Sequence, residues 1–592
     1  MIEAVNRATQ KFHVEIVKPS HYDDDGYVIQ WRRAFIPSNS LACLWAIATD
    51  AQQRGVLGDD VEIVLNGYDE THTVIPVDQI VNRIRSSAAG GIVLLAGVQS
   101  NQFPRAADLA ARFRAGGVDV AIGGFHVSGC LSMLPELPPE IKAVQEQGVI
   151  LFAGEAEGTL EGLLKDAFAR KLQPVYNYLL DLPGLEGQVT PFVPPEVTKK
   201  SFNFAAFDAG RGCPFRCSFC TIINVQGRKS RYRSADDVEK LVRTYATKGV
   251  NRFFITDDNM ARNKNWEEIF DRLIHLRETE GIKLRLLIQV DTQCHKIPGF
   301  IEKAARAGCN RVFIGMESVS PENLAAAKKY QNNILEYRRM LQEWRKHGVL
   351  THAGYILGFP ADTPESIERD IQTIQRELPI DILEFFVLTP LPGSADHRDM
   401  AARGDWMNPD MNLYDSEHVT THHPKMTAEE WQGIYDRAWH LYYTPEHIET
   451  MIRRCAVSGC GPSKMMDAVM MYYGSYRHEG LHPLQCGIMR RKERTSRRPG
   501  MTLENPLLFY PRRVWEIAKT HLRAGLFYLD LIRTRRKVMR DPQLQEYMDD
   551  SLRPVPEMIE EPACESGCAT SPADPGLIPL TIPNTPLRKR SA

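Results

Sequence analysis

The sequence predicts an α/β protein in three parts: an N-terminal doubly wound, Rossmann-like parallel sheet, a central partial (β/α)6 barrel, and a mainly helical C-terminal domain. Three observations carry this. Short apolar runs alternate with amphipathic stretches from Phe12 to about Asp166. A proline-rich stretch follows, and the alternation then resumes for six more units, ending near Asp399. Beyond Asp399 the strand pattern stops, and helix-like stretches rich in Trp, Tyr and Met take over. A chain of 592 residues is too long for one ordinary domain. The expected division is 1–180, a linker at 181–200, then 201–399, 400–550 and a disordered tail at 551–592.

In the first part the predicted strands are Phe12 to Val17, Val61 to Leu65, Gly91 to Val98, Val118 to Ile122 and Val149 to Ala153. Helices are expected around Leu41 to Gln53, Val77 to Arg85 and Pro104 to Ala115. Ligands of such folds bind at the carboxyl ends of the strands. Two strands there run into glycine-containing turns, Gly123-Gly124-Phe125-His126-Val127-Ser128-Gly129 and Gly154-Glu155-Ala156-Glu157-Gly158-Thr159. Glycine at a strand end lets a ligand approach the backbone closely. Prolines from Pro183 to Pro195 suit an extended connection.

The second part offers strands at Phe202 to Asp208, Arg252 to Thr256, Leu284 to Val290, Arg311 to Ile314, Thr351 to Leu357 and Ile382 to Leu388. Polar groups follow their carboxyl ends, among them Asp257, Asp291, Glu317 and Gly358. Six units are fewer than the eight that close a barrel, so a lateral opening is expected. In the third part, helical stretches at Trp431 to Tyr443 and Val514 to Arg536 would cover that opening.

Lys plus Arg number 72 and Asp plus Glu 74, a net charge of −2, so no global field argues for nucleic acid. Basic residues do concentrate at Arg490 to Arg498 and Arg533 to Lys537, which suits solvated helix faces, a peripheral membrane contact or an anionic substrate. No secretory signal and no apolar run of about 18 residues stands out, so a cytoplasmic protein is expected. Twelve cysteines spread over this length do not read as a disulfide scaffold.

The most informative run is Arg211-Gly-Cys-Pro-Phe-Arg-Cys-Ser-Phe-Cys, in which Cys213, Cys217 and Cys220 are spaced Cys-x3-Cys-x2-Cys and Phe219 precedes the last. Three thiolates on one loop can hold three corners of a [4Fe-4S] cube and leave the fourth iron open. A tetrahedral zinc site wants four ligands, and no fourth cysteine or histidine follows nearby. Cys455, Cys460 and Cys486 are too irregularly spaced to suggest a second cluster, Cys564 and Cys568 fall in the tail, and His418, His422 and His423 read as a solvated loop.

This run resembles the signature of the radical S-adenosylmethionine (SAM) enzymes, a resemblance that covers about Ser201 to Asp399. It implies that SAM chelates the open iron and that one electron, from a donor such as flavodoxin or ferredoxin, splits the sulfonium to give a 5'-deoxyadenosyl radical. It further implies that Asp257 lies where the SAM amino group is held, Glu317 near the ribose, and Gly354 to Gly358 near the adenine. The Gly123-Gly124-Phe125-His126 and Gly154-Glu155-Ala156-Glu157 runs resemble those of the cobalamin-binding domain fused before many such enzymes, which makes Gly123, Gly124 and His126 candidate cofactor contacts. The Asp-x-His-x-x-Gly loop that supplies a cobalt ligand elsewhere is absent, since Gly124 stands where the aspartate would be. The implied activity is cobalamin-dependent methylation of an unactivated carbon in an unidentified substrate. Alternatives are a cyclase-type oxidation without methyl transfer, and a non-catalytic cobalamin or iron-sulfur sensor.

Overall fold

The computed structural model describes residues 10–35, 37–198, 200 and 204–555. Most of the expected tail, with Cys564 and Cys568, lies outside the described residues. Two six-stranded parallel sheets organise the remainder.

In the first sheet the strands lie in the order Val61–Asp69, Gln10–Lys18, Gly91–Leu95, Asp119–Gly123, Ile150–Ala153 and Val175–Asn177, all parallel. Their near-continuous runs of Val, Ile and Leu are buried because helices cover both faces. The chain starts at Gln10–Lys18, winds outward to one neighbour and then reverses, so a switch point lies between that strand and Gly91–Leu95. The sixth strand, Val175–Asn177, escaped the sequence reading because three residues carry no period.

The second sheet runs in chain order, Phe204–Phe207, Arg252–Ile255, Arg285–Val290, Cys309–Glu317, Leu350–Leu357 and Ile382–Val387. Its core continues without a break into the C-terminal helices through Trp431, Trp439 and Tyr442, so those aromatics are packing residues.

Three expectations need correction. The 181–200 stretch is not a free extended connection, because Leu185, Val193 and Val197 are buried and the last two join the first sheet's core. The strand pattern does not stop at Asp399, because Gly487–Arg491 pairs antiparallel with Gln30–Ala34. The basic run near Arg490 is not a solvated face: Arg490 binds Asp23 at 2.6 Å and Lys492 binds Asp25 at 2.8 Å, fastening the 21–29 loop, while Arg498 binds Asp410 at 2.6 Å. The long helix Pro506–Met539 instead leaves Leu507, Leu508, Val514 and Trp515 exposed. Among the described residues no helix is long and apolar enough to cross a membrane.

Candidate active site

The cysteine loop hangs from the end of strand Phe204–Phe207, and two aspartates at the end of the next strand hold it there. Asp257 Oδ1 accepts the backbone N–H groups of Ala209 (2.7 Å) and Gly210 (2.8 Å), while its Oδ2 accepts from Asn263 (2.8 Å). Asp258 accepts the Gly212 N–H at 2.9 Å. Gly212 has φ +91°, and a Cβ there would meet the Lys229 carbonyl oxygen at 2.4 Å, so the turn admits only glycine. Further on, the Ser218 N–H donates to the Ala327 carbonyl (3.0 Å), and the Ser218 hydroxyl donates to Asp396 (3.1 Å).

The three thiols suit a cluster. Cys213, Cys217 and Cys220 are free and at least half-buried on a loop without regular structure, and Gln331 Nε2 lies 3.5 Å from Cys217 Sγ. Burial, with the neighbouring charges, pushes the Cys213 thiol up to about 11 and Cys220 up to about 12, so metal binding must displace protons from them.

Asp257 was expected beside a bound amino group. Its oxygens are instead committed to the loop's backbone, and burial pushes its carboxyl up to about 7. Glu317 sits at a bulge ending strand Cys309–Glu317, with φ +64°, a left-handed conformation that a non-glycine residue adopts at a cost of about 1–3 kcal/mol. It pairs with Lys329, whose ammonium also stands 5.8 Å from the Phe219 ring centroid. Glu317, Lys329 and Phe219 thus form one face beside the cysteines. Gly354 and Gly358 do not leave open space. A Cβ on Gly354 would meet Phe313 at 3.0 Å, and one on Gly358 would meet Trp431 at 1.9 Å. The Trp431 indole donates to the Leu357 carbonyl (3.0 Å) and packs against Gly358.

At the carboxyl ends of the first sheet lies a cleft of about 170 Å³, walled by small residues including Gly97, Gly123, Gly124 and Gly154. Gly124 is required by the chain itself, since a Cβ there would meet the Val98 backbone N at 2.2 Å. His126 lines neither this cleft nor the chamber described next. It is fully buried, stacks on Phe103 and holds Ser100 Oγ at 3.2 Å through Nδ1. The second glycine turn does more than line the cleft. Arg211, two residues before Cys213, binds Glu155 (2.6 Å), Glu157 (2.6 Å) and Asp208 (2.9 Å). Arg231 also binds Glu155, and Arg233 lies 3.5 Å from Asp208. Against the upward effect of burial, Arg211 and Arg233 hold the Asp208 carboxyl down at about 2. This network ties the first sheet to the cysteine loop.

A chamber of about 590 Å³ opens between the parts. Gln99 to Gln102 and Phe125 line it from the first sheet, Phe219 and Cys220 from the cysteine loop, Phe386 and Leu391 from the second sheet, and His482 to Cys486 from the C-terminal part. Trp31 and Ile29 close another side. Sequence reasoning missed both the chamber's C-terminal wall and the arginine network, because their partners lie far apart in the chain.

Residues 209–374 match the sequence model of the radical SAM superfamily. Bacteriochlorophyllide d C-12(1)-methyltransferase of Chlorobaculum tepidum is 28% identical over 336 residues, covering 54% of this chain and 67% of that one. The hopanoid C-2 methylase of Rhodopseudomonas palustris is 24% identical over 279 residues, covering 46% of this chain and 51% of that one. Among solved structures, the radical S-adenosylmethionine methyltransferase TsrM from Kitasatospora setae, with cobalamin and a [4Fe-4S] cluster bound, matches with a TM-score of 0.56 at 15% identity. The match covers 77% of this chain and 99% of TsrM, and it shows a shared α/β fold with parallel sheets.

Proposed function

We propose, from the radical SAM domain matched at residues 209–374, that the chain is a cobalamin-dependent enzyme that methylates an unactivated carbon. Cys213, Cys217 and Cys220 would hold a [4Fe-4S] cluster, with SAM on the side faced by Phe219, Glu317 and Lys329. The small-residue cleft of the first sheet would take cobalamin. When bound, the cluster and SAM supply a hydrogen-abstracting radical and cobalamin supplies the methyl group.

The chain's own part is to hold these groups on one space and keep it dry. The carrying observation is the chamber itself, whose walls include both Cys220 of the cysteine loop and the strand-end residues Gln99 to Gln102 of the first sheet. A radical formed at one wall would be within reach of a donor at another, which is what methyl transfer requires. Trp31, Phe125, Phe386 and Leu391 make much of the surface apolar, which suits a substrate with an apolar skeleton. The names of two relatives specify such substrates, a bacteriochlorophyllide and a hopanoid. The Arg211 network would fix the separation of the two cofactor sites. A one-electron carrier such as flavodoxin or ferredoxin is part of the proposal.

The test is anaerobic protein supplied with iron, sulfide and hydroxocobalamin, freed of unbound cofactor, then given reductant and SAM. Retained cobalamin absorption together with 5'-deoxyadenosine, both measured against a Cys213→Ala, Cys217→Ala, Cys220→Ala variant that forms none of the latter, supports the reading. A cluster without cobalamin turns it towards an ordinary radical SAM oxidoreductase. A second reading keeps both cofactors and performs an oxidative cyclisation without methyl transfer. That reading is favoured by a 26% match over 187 residues to the anaerobic magnesium-protoporphyrin IX monomethyl ester cyclase of Cereibacter sphaeroides. Product mass separates the two, since methylation adds one CH2 unit.

A further inference from the structure

His126 and Cys130 are four residues apart on the helix Phe125–Met133, so their side chains share one face. Glu140, in the first turn of the helix Pro139–Glu146, comes up to the same face. One donor atom of each of the three lies within 4.8 Å of the other two. The surroundings are not those of an ordinary salt bridge. His126 is fully buried, its Nε2 makes no hydrogen bond, and Glu140 Oε1 stands 3.6 Å away, beyond hydrogen-bond reach. A buried imidazole nitrogen normally finds a partner, and leaving it without one costs about 1–3 kcal/mol. The other ring nitrogen, Nδ1, is held by Ser100 Oγ at 3.2 Å, which directs Nε2 at Cys130 and Glu140. That is the arrangement of a metal-ligating histidine, whose distal nitrogen is fixed by an outer partner.

We propose that His126, Cys130 and Glu140 form a zinc site on the helix that follows the first sheet's first glycine-rich turn, separate from the cluster cysteines. The donor set is one nitrogen, one sulfur and one oxygen, the three ligand types zinc accepts together in a tetrahedral shell. Charge also balances: a thiolate and a carboxylate cancel the two positive charges of the ion, so a buried site carries no net charge. His397 Nδ1 is buried and makes no hydrogen bond. His397 lies on the helix Ala395–Arg403, which follows the last strand of the second sheet, and Gly129 of the His126 helix presses against Pro392 just before it. A metal there would sit one hydrogen bond from Ser100 and hence from the chamber wall.

The test uses full-length protein expressed with added zinc, with its cysteine-loop iron loaded, and measures metal content and the zinc X-ray absorption edge. Expected is about one zinc per chain besides iron, with a shell of one sulfur at about 2.3 Å and nitrogen or oxygen at about 2.0–2.1 Å. Cys130→Ser and Glu140→Gln each lower zinc by about tenfold or more while iron is unchanged. Absence of zinc, a shell with no sulfur or with several, or zinc content indifferent to both substitutions overturns the site. The absorption measurement needs no variant, so it decides even if Cys130→Ser fails to fold. It also decides independently of methyl transfer.

Discussion

Replacing Arg211 by methionine tests whether the first sheet and the cysteine loop are held by one charge network. Asp208, Glu155 and Glu157 face Arg211, Arg231 and Arg233, three carboxylates against three guanidiniums, and Arg211 is only 9% exposed. Arg211→Met keeps much of the volume and leaves one buried negative charge uncompensated, a change that costs about 3–5 kcal/mol. At about 1.4 kcal/mol per decade this is two to three and a half decades of local opening. Hydrogen exchange read by mass spectrometry on peptides covering 153–159 and 209–213 measures it directly, without assuming that the whole chain unfolds in one step. Both segments should lose protection together. Adding Glu157→Gln restores two carboxylates against two guanidiniums, so the double variant should be better protected than Arg211→Met alone, with a coupling of about 0.5–3 kcal/mol. Unchanged protection in either segment, or a double variant in which the two losses simply add, would refute the reasoning.

Gly358→Ala must displace the Trp431 indole, 1.9 Å from the added Cβ, at a position with φ +104°. A fall in thermal midpoint with a shifted tryptophan emission is expected, from overpacking worth about 1–3 kcal/mol plus backbone strain. Gly124→Ala pushes into the Val98 backbone rather than a movable side chain. It should lower soluble yield and cobalamin retention together, and normal retention would show that the loop can yield. Against the lowering effect of burial, hydrogen bonds donated to the Asp24 and Asp415 carboxylates raise His418 to about 10. The stability this adds is full below about pH 6.5 and is lost as pH rises towards about 10, so the melting-temperature gap between wild type and His418→Gln should narrow across that window. A gap independent of pH would remove the ion pairs from the account.

The sheets were legible because both are built of buried parallel strands, whose apolar runs separated by helical stretches leave a local trace. The cysteine motif was legible for the same reason, since its spacing is contained in eight residues. What stayed hidden depends on pairs distant in sequence. Glu155 and Glu157 read as part of a ligand turn, and nothing in their neighbourhood announced Arg211 as partner. Gly358 gave no sign in the sequence of the indole packed against it, because that indole arrives from Trp431. Asp257 read as a ligand-facing acid, whereas its acceptors are spent on backbone amides at positions 209 and 210. His126 and Cys130 were the exception. Their four-residue spacing on a helix was readable as a ligand pair, and the cobalamin resemblance drew attention elsewhere.

The antiparallel pairing of Gln30–Ala34 with Gly487–Arg491 sets the order in which the molecule can be made. During synthesis the first sheet and the cysteine loop emerge long before residue 487, and each can fold around contacts of its own. The wall carrying His482 to Cys486 cannot be laid until more than four hundred residues have followed the strand that receives it. The chamber's C-terminal wall is therefore laid late in synthesis, and Cys220 and Gln99 to Gln102 border an incomplete chamber until it arrives.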